Sequence, residues 1–305
     1  MGQNNDLVSV IITTYKRTVQ DIRKAIYSVL NQTYSTLEII IVDDSPNDYP
    51  YRNHIKEFCK AINDTRIIYI QHTSNLGACA ARNTGIAHSH GIYISFLDDD
   101  DEYLANRIEL MIDVIKQDKK IVLVYCNANI IELDSGKVIG KFFKENKQYR
   151  GDVFDKIMAS NFIGSTSLGM VRAEALKKIN GFDPSMVASQ DWDVWIRLSK
   201  IGKVDYLSEA LVNYYIHSGI RISNNINNRI AGLIHLNEKC SEELSKNKVA
   251  ATARKKFELH LHVMNSDIQS ALRCYKELWK LQPTKVLDNI IAVKSFGRFM
   301  LKKKE

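Results

Sequence analysis

Patterned cysteine, a long apolar run and a leader-like N-terminus are all missing from this 305-residue chain. The five cysteines (Cys59, Cys79, Cys126, Cys240, Cys274) are scattered and odd in number, with no C-x-x-C pair. They suggest neither a disulfide framework nor a zinc site, and a cytoplasmic, reducing compartment is expected. No apolar stretch approaches the length of a membrane span. The opening MGQNNDLVSV has no basic region followed by an apolar core, so it does not read as a secretory signal. Asp6 stands where a myristoylation signal after Gly2 wants Ser or Thr. Zinc-finger spacing and RNP-type aromatic motifs are lacking too, so nucleic acid is not an expected partner. The chain has no internal repeat and no low-complexity segment.

What is present is enough hydrophobic content, 45%, for one large α/β domain with an appendage, or for two domains. The net charge is +7, and the basic excess gathers toward the C-terminus, which closes with Lys302, Lys303 and Lys304. Apolar runs at Val8–Thr13, Leu37–Val42, Arg66–Ile70, Ile92–Leu97 and Ile121–Tyr125 predict strands. Between them lie helical stripes: Ile22, Ile26, Val29 and Leu30; Ile55, Phe58, Cys59 and Ile62; the small-residue stretch Ala78–Ala87; and Leu104, Ile108, Met111 and Ile115. Thr18 is a candidate helix cap. This alternation predicts a doubly wound, mostly parallel sheet flanked by helices, with ligands bound beyond the carboxyl ends of the strands. From Asn224 onward the pattern is helical and rich in lysine.

Four consecutive aspartates, Asp98–Asp101, end the fourth predicted strand. Neighbouring carboxylates repel one another, and a divalent cation such as Mg2+ or Mn2+ removes that cost while holding substrate phosphates. The competing reading is an acidic first turn on the following helix. Two other predicted strand ends carry polar residues, Thr13–Arg17 and Asp43–Asp44, and one crevice would collect all three.

Together these segments resemble the family 2 glycosyltransferases, which have the GT-A fold. The resemblance is carried, in order, by Val8-Ser9-Val10-Ile11-Ile12-Thr13-Thr14-Tyr15-Lys16-Arg17, Ser28-Val29-Leu30-Asn31-Gln32-Thr33 and Glu38-Ile39-Ile40-Ile41-Val42-Asp43-Asp44-Ser45. It continues through Asn75-Leu76-Gly77, Ala81-Arg82-Asn83-Thr84-Gly85 and the DxD-type Phe96-Leu97-Asp98-Asp99-Asp100-Asp101. Gly181-Phe182-Asp183 and Asp191-Trp192-Asp193-Val194-Trp195-Ile196-Arg197-Leu198 complete it. It implies a catalytic domain over residues 1–220 (nucleotide-sugar half about 1–101, acceptor half about 102–220) and a helical extension over 221–305.

The resemblance also implies an inverting transfer of a sugar from a nucleotide-sugar donor, UDP-linked by default, to a glycan or lipid-linked acceptor. The expected setting is bacterial surface polysaccharide synthesis, and the expected cofactor is Mn2+ or Mg2+. Donor-nucleotide contacts are expected from Thr13, Tyr15, Arg17, Asp44, Arg82, Asp98 and Asp99. Metal contacts are expected from Asp100, Asp98 and His217, with the register open by one residue among the four acids. Arg221 is a candidate phosphate contact. Asp191 matches the position of the general base, preceded here by Gln190 where the family often has Glu. Asp193 is its rival, and Trp192 and Trp195 are core or acceptor-platform residues. The basic C-terminal segment (Lys285, Leu287, Ile290, Ile291, Val293, Lys294, Arg298) is a candidate for peripheral contact with an anionic membrane. A sugar-phosphate nucleotidylyltransferase is the alternative enzyme class, but the loop after the first strand has no glycine. A non-catalytic nucleotide-sugar-binding protein is the other alternative, and loss of the acidic cluster or of Asp191 would be its signature.

Overall fold

The computed structural model describes residues 6–143, 148–216 and 225–281. His217, Arg221 and the basic stretch from Lys285 lie outside the described residues. The first half alternates as the sequence predicts: β1 (Val8–Thr14), α1 (Val19–Leu30), β2 (Leu37–Asp43), α2 (Arg52–Ile62), β3 (Ile67–Gln71), α3 (Ala78–Ala87) and β4 (Tyr93–Asp98). Thr18 caps α1, and Asp21 reaches back to its N–H at 2.7 Å. Then follow β5 (Glu102–Tyr103), α4 (Arg107–Ile115), β6 (Ile121–Glu132), β7 (Val138–Lys141), α5 (Phe154–Ala159), a 3-10 turn (Thr166–Leu168), β8 (Gly169–Arg172), α6 (Ala173–Lys178), α7 (Gln190–Ser199) and β9 (Lys203–Ile216). The last helices are α8 (Ile226–Lys239), α9 (Ser241–Lys246), α10 (Lys248–Met264) and α11 (Ile268–Leu281).

The strands form one mixed sheet in the order β3-β2-β1-β4-β8-β6-β9-β5, with β7 paired to β6. β3, β2, β1 and β4 run parallel. β8 is antiparallel to both β4 and β6. Alternate residues of β1 face opposite sides. Val8, Val10 and Ile12 join α1, α2 and α4 in the main core, through residues such as Ile22, Ile26, Ile55, Ile108 and Met111. Ile11 faces α3, which approaches so closely that a Cβ on Gly85 would stand 2.4 Å from Ile11 Cγ2. Helices thus cover both faces, as a doubly wound sheet requires.

Two parts of the sheet escape the sequence pattern. β6 continues seven residues past the predicted Tyr125. β9 is fourteen residues long, but its mixed burial gives no clean alternation to read.

The chain divides into two compact units. The first holds the described residues up to Phe154, then Phe162–Pro184 and those from Asp191 to the end of β9. The second holds Asp155–Asn161, Ser185–Gln190 and the described residues from Asn225 on. Hydrogen bonds tie these short stretches to the helices: Arg254 Nε donates to the Met158 carbonyl (2.6 Å), and Asn247 Nδ2 donates to Asp155 (2.8 Å). No helix among the described residues is long and apolar enough to cross a membrane.

Candidate active site

Register brings three polar strand ends to one edge. Thr13 pairs with both Val42 and Asp98, and Thr14 pairs with Asp43. The segment after β1, the Asp43–Asp44 pair and the four aspartates therefore emerge side by side.

Asp98–Asp101 make a tight turn, closed by the Asp101 N–H on the Asp98 carbonyl at 3.0 Å. They are not the first turn of a helix, because β5 intervenes and α4 begins only at Arg107. The turn alternates its side chains. Asp98 and Asp100 are 32% and 25% exposed, whereas Asp99 is 9% and Asp101 1% exposed. Arg82 pairs with Asp98 at 3.0 Å. Arg17 pairs with Asp99 at 3.0 Å and with Asp100 at 3.6 Å. Burial pushes the Asp99 carboxyl up to about 6, against the opposing pull of Arg17. Burial and the adjacent Asp98 and Asp100 charges hold Asp101 well above the usual carboxylate range. Asp101 Oδ1 accepts from the Tyr215 N–H, while its Oδ2 is buried with no hydrogen-bond partner among the described residues. Clustered acids with an orphaned oxygen are the donor set that suits a hard divalent cation.

On the β1–β2 side, Tyr15 stands exposed with Lys16 Nζ 5.4 Å from its ring centre. The Lys16 N–H donates to Ser45 Oγ at 2.8 Å. Asp43 and Asp44 are both buried and engaged by the protein. Asp43 accepts from the Ser45 N–H and the Tyr69 hydroxyl (2.9 and 2.7 Å). Asp44 accepts from the Leu76 and Gly77 N–H groups (2.8 Å each) and pairs with His72 Nδ1 at 2.7 Å. Asp44 therefore fastens the Asn75-Leu76-Gly77 loop to the sheet and sets the start of α3, the helix that carries Arg82.

The second half of the site is a scaffold of long-range hydrogen bonds. Asn83 brackets Phe182, donating to its carbonyl at 2.7 Å and accepting its N–H at 2.8 Å. Gly181 sits at φ +63°, where a Cβ would also meet Asn83 Oδ1 at 2.5 Å, so this turn needs glycine twice over. Arg197 holds the same turn through the Ile179 and Gly181 carbonyls (2.7 Å each) and pairs with Asp193 at 2.5 Å. Asp193 is thus the buried partner of a structural arginine. Asp191 lies in the first turn of α7, half-buried, and its Oδ1 accepts the Trp192 N–H at 2.8 Å. Trp192 and Trp195 are buried, and Trp195 Nε1 donates to the Gly164 carbonyl at 3.0 Å.

Residues adjoining that carbonyl reach the acids. Ser165 Oγ donates to Asp98 Oδ2 at 3.1 Å, and the Asp98 N–H donates to Ser167 Oγ at 3.0 Å. α7 is thereby linked to the acidic turn through Gly164 and Ser165. Beneath them lies Arg107, fully buried, donating to Ser95 Oγ and the Ser167 and Gly169 carbonyls (2.9, 2.9 and 3.1 Å). Its guanidinium stacks 3.8 Å from the Tyr103 ring centre. The sequence alone assigns no role to Ser165–Ser167 or to Arg107. The bonds that join them to each other and to the acidic turn span about 60 to 70 residues, so nothing local marks them.

The family model described as glycosyl transferase family 2 matches residues 9–179. The chain is 29% identical over 260 residues to the putative colanic acid biosynthesis glycosyl transferase WcaA of Escherichia coli K12, covering 84% of this chain and 87% of that one. It is 30% identical over 202 residues to the Escherichia coli UDP-Glc:alpha-D-GlcNAc-diphosphoundecaprenol beta-1,3-glucosyltransferase WfgD, covering 66% and 73%. The crystal structure of S. aureus TarS 1-349 in complex with UDP-GlcNAc shares the fold at TM-score 0.62 and 15% identity, covering 96% of this chain and 80% of that one. The mixed sheet, its flanking helices and the matched segments lead to one assignment: this chain belongs to glycosyl transferase family 2 and is a glycosyltransferase.

Proposed function

We propose that the chain moves a hexose or N-acetylhexosamine from a UDP-sugar to a hydroxyl of a lipid-linked or glycan acceptor, with inversion and with help from Mn2+ or Mg2+. The destination is a bacterial surface polysaccharide. The observation that carries this reading is the turn Asp98–Asp101: two outward acids, an orphaned buried oxygen on Asp101, and two flanking arginines. A donor diphosphate needs cationic surroundings, and so does the acid cluster. UDP as the carrier is supported by the UDP-Glc in the name of WfgD and by the UDP-GlcNAc complex of TarS. The acceptor class is supported by the diphosphoundecaprenol of WfgD and the colanic acid of WcaA.

The roles follow from exposure and partners. Tyr15, exposed beside the end of β1, offers a ring face to a nucleobase. Thr13 lines the same strand end. Asp44 positions the loop and α3 that bring Arg82 to the phosphates. Arg17 holds Asp99 and leans toward Asp100, so it responds to whatever binds there. Asp98 and Asp100, the outward pair, are the residues that would hold the cation, together with His217 from outside the described residues. When bound, the cation offsets the charge that develops on the leaving diphosphate. Asp191 takes the proton from the attacking hydroxyl. Its link to the acidic turn through α7, Gly164 and Ser165 fixes it relative to the donor.

The test is a thermal-shift panel of UDP, GDP, dTDP and CDP, each with and without Mn2+. A ligand that binds only the folded state raises the melting temperature. UDP with Mn2+ should give the shift, and Asp100→Ala should abolish it. A folded protein that no nucleotide shifts would refute the donor assignment.

A further inference from the structure

The scattered cysteines hide one cluster, and it lies in the helical unit. Glu258 and His262 are one helical turn apart on α10, and Cys274 is on α11. One ligand-type atom from each lies within 4.8 Å of the others, and all three residues are buried. Cys274 Sγ donates to Glu258 Oε1 at 3.2 Å. The second oxygen of Glu258 is held by Lys255 Nζ at 2.8 Å, which also pairs with Glu277 at 2.8 Å. Oε1 therefore faces the thiol while the lysine charge is shared with another acid. His262 is 7% exposed, and its Nδ1 is buried and makes no hydrogen bond among the described residues. The Asp267 carboxylate stands 3.3 Å from it, at ion-pair distance only. An orphaned imidazole nitrogen beside a buried thiol and a carboxylate is costly unless something takes its lone pair or its proton.

From this geometry we propose that Glu258, His262 and Cys274 form a metal site for Zn2+ or another thiophilic divalent ion, separate from the acidic turn and serving to clamp α10 to α11. The ligand set decides the metal class. Thiolate and imidazole select zinc-like ions, whereas Mg2+ and Mn2+ prefer oxygen alone. A tetrahedral zinc with bonds of about 2.0–2.3 Å spaces its ligand atoms roughly 3.3–3.7 Å apart, so closure needs side-chain shifts of the order of half an ångström. On binding, the Cys274 S–H bond breaks, its proton goes to solvent and a sulfur–metal bond replaces it. Water takes the fourth position. The clamp has a structural purpose, because the buried apolar cluster joining the two helices is small: Leu259, Ala271, Leu278 and Cys274 itself. Small cores are where staples contribute most.

The test is a cobalt titration of the metal-stripped full chain, read by absorption. A stoichiometric sulfur-to-cobalt charge-transfer band should appear, be displaced by Zn2+, disappear in Cys274→Ser and weaken in His262→Gln. Asp100→Ala should keep the band, because the acidic turn offers oxygen ligands only. Zn2+ should also raise the melting temperature of the wild type and not of Cys274→Ser. If Cys274→Ser fails to fold, Glu258→Gln and His262→Gln carry the same comparison. A cobalt spectrum with no sulfur band from folded protein, or a band that survives Cys274→Ser, would overturn the site. Donor binding by the nucleotide panel is independent of either result.

Discussion

The two ends of the central strands both bury carboxylates, and they treat them in opposite ways. At the amino end, Glu38 on β2 accepts from Ser9 Oγ (2.5 Å), from the His90 N–H (2.6 Å) and from His90 Nδ1 (3.0 Å). Burial alone would raise its pKa, but these bonds outweigh burial and hold it below its ordinary value of 4.5. At the carboxyl end burial wins instead: it outweighs the bonds that Asp99 takes from Arg17 and that Asp101 takes from the Tyr215 N–H, and both carboxyls are pushed up. The contrast separates architecture from chemistry. Glu38 is satisfied and locks β1 and the start of β4 to β2. The acidic turn is left short of positive charge, and that shortage is what a bound cation would relieve.

The sharpest way to break the comparison is at the catalytic end. Asp191→Asn should lower kcat by about 10³-fold, measured as UDP release. UDP affinity by calorimetry should stay within a few-fold of wild type, because the donor contacts are untouched. Arg107→Met tests whether the acidic turn needs its buried support. The change removes three buried hydrogen bonds, to Ser95 Oγ and to the Ser167 and Gly169 carbonyls, and should cost about 3 kcal/mol in urea unfolding. It should also weaken UDP binding, since Ser167 loses its anchor beside Asp98.

At the amino end, Glu38→Gln should cost about 1–2 kcal/mol at pH 7, with kcat unchanged. Glu38 has a lowered folded pKa, so its contribution is present above 4.5 and is lost as pH falls through the folded value. The variant should therefore differ most from wild type at neutral pH and least in acid. The pH dependence at Asp99 runs the other way. Asp99 rises from 3.8 to about 6 on folding, so its contribution is full below 3.8 and fades as pH rises through about 6. Relative to wild type, Asp99→Asn should gain about 2 kcal/mol between pH 4 and pH 7, measured by denaturation at both pH values. A pH-independent difference at either residue would show that the two ends are not opposed in this way.

Much of the first unit was legible because its signals are local. A strand buried on both faces writes a continuous apolar run, as at Ile39–Val42, and an amphipathic helix writes a stripe, as in α1. The four aspartates and Asp191 were visible as residue types at the ends of such elements. β9 was hidden by its mixed burial. The place of Asp193 was hidden as well, because its pairing with Arg197, which also holds the Gly181 turn, exists only in space.

By itself, then, the sequence determined the alternating α/β architecture, the family and the place where three polar strand ends meet. Tertiary structure decided which acids face outward, that Asp44 fastens a loop, that Arg107 and Ser165–Ser167 underpin the acidic turn, and that Glu258, His262 and Cys274 meet. The physical reason is range. Hydrophobic periodicity is set by neighbours within a turn or two, whereas the state of a buried polar group depends on donors that the fold brings from far along the chain.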